Sequence, residues 1–317
     1  MKILKPYFWD NRKLSFFSIL LLPFTIFVII NNYFIKFKKN KKIYKEIKTI
    51  CVGNIYVGGT GKTPLAIEIS KLVKRFRYKT TFIKKFYKES LDEQILLKKN
   101  GNCICSSISR SHALHEAITK KYNLAIFDDG LQDSSVNYDL KFVCFNAEKF
   151  LGNGFLIPAG PLREKLSSLN KYDAVFLNGE TKDIKTKISV IKKYNKDIKI
   201  FETNYYLTNQ SDFLKKDKYI AFAGIGIPEN FHNILKANNF DIVRFLKYPD
   251  HYNYSKLEID KIKKIAKSLN AKIITTEKDY LRIMNRHNLK KNQIKSVKMR
   301  LKIKTEKKFL TFLKSRI

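Results

Sequence analysis

The sequence predicts an α/β protein with a mainly parallel sheet, a second and smaller α/β lobe, and an apolar N-terminal membrane helix. Three observations predict it. Short β-branched and aromatic runs alternate with amphipathic stretches over residues 43–204, the pattern of successive strand–helix–strand units. The alternation restarts within residues 205–317, from Tyr219 onward. Residues 1–42 contain Leu14 to Ile30, an uncharged run of 17 residues. A chain of 317 residues is long enough to bury a core and to form about two domains.

The N-terminal run is at the lower limit for crossing a bilayer, which takes about 20 residues. Pro23 should bend it midway. Arg12 and Lys13 precede it, and Lys36, Lys38, Lys39, Lys41 and Lys42 follow. No small-residue cleavage site follows, so the segment is expected to be retained. The stronger basic cluster on its C-terminal side puts the rest of the chain in the cytoplasm if the segment spans. A bent helix in one leaflet, or a buried core helix, are the alternatives.

Thr49 to Val52 reads as a buried strand, and Leu65, Ile67, Ile69, Leu72 and Val73 suit a helix beginning at Lys62. Between them lies CVGNIYVGGTGKTP, residues 51–64. Gly58, Gly59 and Gly61 permit a backbone that turns its N–H groups inward, and a helix start favours an anion. This predicts a phosphate-binding loop: Gly58 to Gly61, Thr60 included, cradle the phosphates, Lys62 reaches the β- and γ-phosphates, and Thr63 binds Mg²⁺. Tyr56 stands where the strict motif has its first glycine. A glycine-rich turn with an accidental Lys-Thr is the alternative.

A strand over Thr80 to Phe86 comes next, then Leu91 to Leu97, a strand at Cys103 to Ser106 and a helix over His112 to Lys121. Leu124 to Phe127 then runs into Asp128-Asp129-Gly130, like a Walker B strand that brings an acid to Mg²⁺. Strands at 140–145, 173–177 and 199–203 complete a P-loop NTPase-like sheet. Ligands gather beyond the carboxyl ends of such strands, where Gly58 to Thr63, Asp92 and Asp128 to Gln132 fall. Asp92-Glu93 can equally be a helix cap.

In the second lobe, strands at 219–223, 241–246 and 272–275 alternate with helices that end near Asn238 and span 256–268. Gly224-Ile225-Gly226 lacks the third glycine of a dinucleotide fingerprint and reads as a tight turn. Asn170-Lys171-Tyr172-Asp173 matches a guanine-binding signature, but precedes a strand instead of following one. A membrane-attached GTPase is therefore a rival reading.

Lys and Arg number 63 against 28 acids, a formal net charge of +35. Lysine spread along the chain, without a nucleic-acid module, argues for compositional bias plus anionic lipid and against nucleic acid. A non-enzymatic binder of anionic surfaces is the second rival. The four cysteines make no metal cage. His112 and His115, at helical spacing but without a third ligand, read as surface residues.

The ordered set of motifs is similar to the tetraacyldisaccharide 4'-kinase family. It comprises the 52–64 loop, DDGLQD at 128–133, GNGFLIPAGPLRE at 152–164, AGIGIP at 223–228, Asp250-His251 and TTEKD at 275–279. The resemblance implies transfer of the ATP γ-phosphate to the 4'-hydroxyl of a tetraacyldisaccharide 1-phosphate in lipid A biosynthesis, at the cytoplasmic face of the inner membrane. It points to Asp92 as the base that takes the hydroxyl proton, assisted by His251. Thr63, Asp128, Asp129 and Glu164 are then the natural Mg²⁺ shell, and Arg163 contacts phosphate or makes an ion pair. The expected partners are the acylated lipid and the membrane surface, and a monomer is expected. The chain departs from the family at Lys85-Phe86-Tyr87 (usually Arg-Gly-Tyr), at Asp133 (usually His) and at Lys165 (usually Pro).

Overall fold

The computed structural model describes residues 5–11, 14–37, 44–87, 91–106, 108–287 and 293–317. Arg12, Lys13, Lys38, Lys39, Lys41 and Lys42, expected to flank the apolar run, lie outside the described residues. The run itself forms α1 (Phe16–Leu21) and α2 (Thr25–Phe37), separated by a 3₁₀ turn at Leu22–Phe24 that contains Pro23. The proline falls where the helix is broken, because it has no N–H to donate and clashes with the preceding turn.

The core is an eight-stranded sheet in the order β12-β7-β6-β5-β1-β4-β2-β3. Its strands are β1 (Lys48–Gly53), β2 (Thr80–Lys85), β3 (Asn102–Ser106), β4 (Leu124–Asp128), β5 (Leu140–Asn146), β6 (Ala174–Asn178), β7 (Lys199–Leu207) and β12 (Met299–Ile303). All pairs are parallel except β12 with β7. β1 is central because both faces of the sheet are covered, and from Thr49 to Gly53 it is wholly buried. One face packs on α3 (Lys62–Lys74), α4 (Leu91–Asn100) and α10 (Glu306–Lys314), with Leu65, Ile69, Leu97, Phe142 and Phe309 in one apolar cluster. The other face is covered by α5 (Arg110–Thr119) and α6 (Ile184–Tyr194).

A second sheet, β11-β10-β8-β9, is all parallel. It consists of β8 (Lys218–Ala223), β9 (Asp241–Lys247), β10 (Lys272–Thr276) and β11 (Lys295–Val297), with α7 (Pro228–Ala237), α8 (Lys256–Ser268) and α9 (Glu277–Met284). α8 begins where expected because Ser255 and Glu258 form a reciprocal capping box. The expected division at residue 204 does not coincide with a sheet boundary. β7 runs on to Leu207, and β12 returns the chain to the first sheet, where Phe309 and Leu313 of α10 are fully buried.

The stretch Phe16–Ile35 is long and apolar enough to cross a membrane, and only 6% of it is buried. Phe16, Phe27 and Phe34 are 74%, 67% and 64% exposed. Each would gain about 1.5–3 kcal/mol on leaving water, a cover the described residues do not supply. Replacing all three by Asp is expected to lower partition into anionic vesicles by ~10²-fold or more in a flotation assay. Unchanged flotation would remove these helices as the anchor.

Candidate active site

The phosphate loop is built between β1 and α3. Gly61, the residue before α3, has φ of 85°. A Cβ there would lie 2.5 Å from the Tyr205 hydroxyl and 2.6 Å from Asn178 Nδ2, so glycine is required twice over. Asn54 Nδ2 donates to Thr60 Oγ1 at 3.1 Å, and Asn178 Nδ2 donates to the Thr60 carbonyl. These two amides brace the loop from β1 and β6.

Tyr56 does not distort the cradle. Its ring is fully buried against Leu156 and Leu162, its hydroxyl donates to the Asp10 carboxylate, and Lys5 donates to that hydroxyl. The position where a glycine was wanted is therefore where the loop meets the N-terminal segment. The 152–164 stretch serves the same junction. Trp9 Nε1 donates to the Pro158 carbonyl at 2.9 Å, and Asn32 Nδ2 of α2 to the Arg163 carbonyl at 2.8 Å.

Asp128, at the end of β4, is fully buried. Its Oδ2 accepts from Thr63 Oγ1 at 2.9 Å and from Lys84 Nζ at 2.7 Å. Its Oδ1 is buried without a hydrogen-bond partner among the described residues. Asp129 lies 3.7 Å from Lys62 Nζ and 3.3 Å from Arg163 Nη1. Burial would raise its carboxyl, but Lys62 and Arg163 outweigh that and hold it below the usual carboxylate range. A hard divalent cation wants such oxygens, and the unpartnered Asp128 Oδ1 beside Thr63 fits one.

Glu164 is not brought to this group. Both its oxygens accept from Tyr172 OH at 3.0 Å, and Oε1 also accepts from Gln132 Nε2 at 2.8 Å. Among the described residues it connects to Asp129 through Gln132 and Arg163, whose Nη1 donates to Gln132 Oε1 at 3.2 Å. Of the four expected cation ligands, Thr63 donates to Asp128, Asp129 faces Lys62 and Arg163, and Glu164 is engaged by Tyr172. The same tyrosine disposes of the guanine-signature reading. Asn170-Lys171 sits in a 3₁₀ turn ahead of β6, Tyr172 serves Glu164, and Asp173 accepts from Lys141 N–H.

Lys84 was not anticipated. It is 6% exposed, near the end of β2, and lies 2.7 Å from both Asp128 and Glu93. Burial opposes its charge, but the two carboxylates raise its pKa. Its only sequence signal was a lysine closing the otherwise uncharged run Thr80 to Ile83. Glu93 is held well below the usual carboxylate range by Lys278 and Lys84, against the effect of burial. Lys278 reaches it from α9 at 2.5 Å.

Asp92 and His251 come from different lobes and meet. Asp92, on α4, is 2% exposed. Its Oδ1 lies 3.5 Å from Nδ1 of His251, which sits in the loop between β9 and α8. Burial would raise Asp92, but the adjacent His251 and the charges of Lys278 and Arg282 lower it to about 2. Asp92 in turn raises His251, against burial. The helix-cap alternative for Asp92-Glu93 is thus overtaken by ion pairs that cross to α9.

A cleft of ≈ 370 Å³ between the lobes is lined by the phosphate loop with Lys62 and Thr63, and by Asp129, Arg163, Glu93 and His251. The Gly224-Ile225-Gly226 turn closes against it. A Cβ on Gly226 would lie 2.3 Å from Gly59 N, so the absence of a side chain lets the two lobes touch at the loop. Gly226→Val is expected to push the lobes apart and raise the KM for nucleotide by about tenfold or more, with the melting temperature little changed. A normal KM would show that the contact is not needed for binding.

The model of the tetraacyldisaccharide-1-P 4'-kinase family matches residues 14–317. A Pelagibacter ubique protein named tetraacyldisaccharide 4'-kinase is 49% identical over 308 residues, covering 97% of this chain and 96% of that one. Its namesake from Rickettsia felis is 33% identical, covering 91% of each. The chain belongs to the tetraacyldisaccharide-1-P 4'-kinase family. The crystal structure of LpxK from Aquifex aeolicus in complex with ATP superposes with a TM-score of 0.70 over 94% of this chain and 98% of that one, at 23% identity, and so shares its fold.

In this tetraacyldisaccharide-1-P 4'-kinase family member none of the departures is among the residues that line the cleft. Asp133 accepts from Arg110 Nη1 at 2.7 Å, and Arg110 also donates to the Asp129 carbonyl, so the pair braces the second aspartate from behind. Phe86 and Tyr87 are 37% and 48% exposed beyond the end of β2. Lys165 is exposed and precedes the 3₁₀ turn at Leu166–Lys171.

Proposed function

We propose that the chain transfers the γ-phosphate of ATP to the 4'-hydroxyl of a tetraacyldisaccharide 1-phosphate, from the cytoplasmic face of the inner membrane. The observation that carries this reading is one cleft lined by a phosphate loop and by His251, which meets the buried Asp92 across the lobes, beside a seat for exposed apolar helices. Family membership supplies the acceptor class, since the relatives are named for it.

Lys62 and the amides of residues 58–61 bind the ATP phosphates and orient the γ-phosphorus. Phosphoryl transfer needs mainly such positioning and charge stabilisation. Asp92 takes the proton of the 4'-hydroxyl, the sugar oxygen forms its bond to the γ-phosphorus, and the bond to the β-phosphate oxygen breaks to release ADP. His251 holds Asp92 Oδ1 and shares the proton. Arg163, between Asp129 and Gln132, presents positive charge at the cleft wall. Thr63, Asp128 and Asp129 would hold Mg²⁺, which neutralises phosphate charge when bound. Because α2 hydrogen-bonds the backbone of Arg163 itself, a membrane-borne acceptor meets the donor at the helices' own docking point.

The test is to incubate the purified chain with Mg-ATP and the disaccharide 1-phosphate in mixed micelles and look for a second phosphate on the lipid. ATP hydrolysis with unmodified lipid would sink the proposal.

A further inference from the structure

We infer that Arg282 is a positioning residue for proton removal: one buried guanidinium sets Asp92 and His251, from opposite lobes, in register with each other. The inference rests on the proposed role of Asp92.

α9 carries the guanidinium into the lobe boundary at 8% exposure. Nη2 donates to Asp92 Oδ2 at 2.6 Å. That leaves Oδ1 as the oxygen facing His251, so the arginine selects which carboxylate oxygen works. Nη1 turns the other way and donates to two backbone carbonyls, Gly224 O at 3.2 Å and Tyr252 O at 3.2 Å. These hold the histidine loop: Gly224 O also accepts the His251 N–H at 3.1 Å, and Tyr252 follows His251 directly. His251 has φ of 55°, a conformation a residue with a β-carbon keeps only when its surroundings impose it. Arg282 supplies part of that imposition.

The guanidinium is itself held. Asp279, fully buried, accepts from Nη1 at 2.8 Å through Oδ1. Its Oδ2 accepts from Gly224 N–H at 3.0 Å and from Thr276 Oγ1 at 2.7 Å. The Thr-Thr-Glu-Lys-Asp run at 275–279 therefore has a physical reason. Thr276 caps α9, Lys278 takes Glu93, and Asp279 aims Arg282 at the residue next to Glu93. Two consecutive carboxylates of α4 are each met by a cation four residues apart on one face of α9. A planar fork suits the task because its two nitrogens point to different lobes, which a lysine cannot imitate.

The experiment is steady-state kinetics on the full chain, comparing Arg282→Gln, Arg282→Lys, Asp92→Asn and the Asp92→Asn/Arg282→Gln double variant. Arg282→Gln should lower kcat by ~10²-fold, the scale of a small misplacement of reacting groups, and leave the KM for ATP within about twofold. Arg282→Lys, which keeps the charge but not the fork, should recover about a tenfold part of that loss. On the Asp92→Asn background, Arg282→Gln should cost less than about threefold more, because its effect passes through Asp92.

The pH profile adds a readout that a purely structural role would not move. Asp92 is faced by Arg282 and Lys278 from α9, by His251 from the loop and by Glu93; behind these stand Asp279 at Arg282, Asp250 at His251 and Lys84 at Glu93. Removing one cation raises the Asp92 pKa, so the acidic limb of kcat/KM should shift to higher pH in Arg282→Gln. Wild-type kcat in Arg282→Gln, or full additivity with Asp92→Asn, overturns the inference. Should Arg282→Gln fail to fold by circular dichroism, wild-type kcat in Arg282→Lys does the same. Wild-type turnover in Asp92→Asn overturns the base assignment instead, so the two failures are distinguishable.

Discussion

Lys62→Ala is expected to cut kcat/KM for ATP by ~10³-fold. A charge-assisted hydrogen bond to phosphate contributes about 1.5–3 kcal/mol to binding, roughly 10- to 100-fold in affinity. Charge stabilisation of the transferring group adds a further factor in turnover of about 10²-fold. The free enzyme holds the ammonium 3.7 Å from Asp129, beside the loop amides. The substitution should therefore harm both KM and kcat, which isothermal titration with ATP and steady-state assays would separate. A kcat/KM within about tenfold of wild type would place Lys62 off the phosphates.

Asp92→Asn is expected to behave differently. A general base contributes typically about 10²- to 10⁴-fold, so kcat should fall by that range. Affinity for ATP should be retained, because the described partners of Asp92 are Arg282 and His251 and none belongs to the phosphate loop. Asparagine preserves shape and keeps an oxygen for Arg282, which limits the cost of an underneutralised guanidinium. Undiminished turnover would exclude Asp92 as the base. His251→Ala should produce a smaller loss of kcat, about tenfold, again with ATP affinity intact.

The contrast between those residues parallels what could be read from the chain. The phosphate loop was legible because its chemistry is local. A buried strand, glycines with the needed conformational freedom and a helix start lie within Thr49 to Val73, and α3 begins at Lys62 as spacing implied. Asp128 was legible for the same reason, as a carboxylate at the end of an apolar strand.

Lys84, Lys278 and Arg282 were not, because their partners are 44, 185 and 190 residues away, on a neighbouring strand for Lys84 and across the lobes for the other two, and no local periodicity encodes such a pair. Glu164 was placed with the cation ligands on motif resemblance, and Tyr172, eight residues further on, claims it instead. The return of β12 to β7 escaped notice too, since antiparallel pairing of Met299 with Leu207 is a tertiary event that five alternating residues do not announce.

The hydrogen bonds made by Trp9, Asp10 and Asn32 join the N-terminal segment to the catalytic half of the molecule at three separate points, one of them on α2. Under the proposed membrane-docked reading, a kinase held by that segment would have no freedom to set the height of its phosphate donor above the lipid headgroups. Its acceptor would arrive by lateral diffusion in two dimensions. The concentration governing its rate would then be the mole fraction of acceptor in the surface, so diluting that surface with inert lipid should slow the enzyme even when the amount of acceptor per volume is held constant.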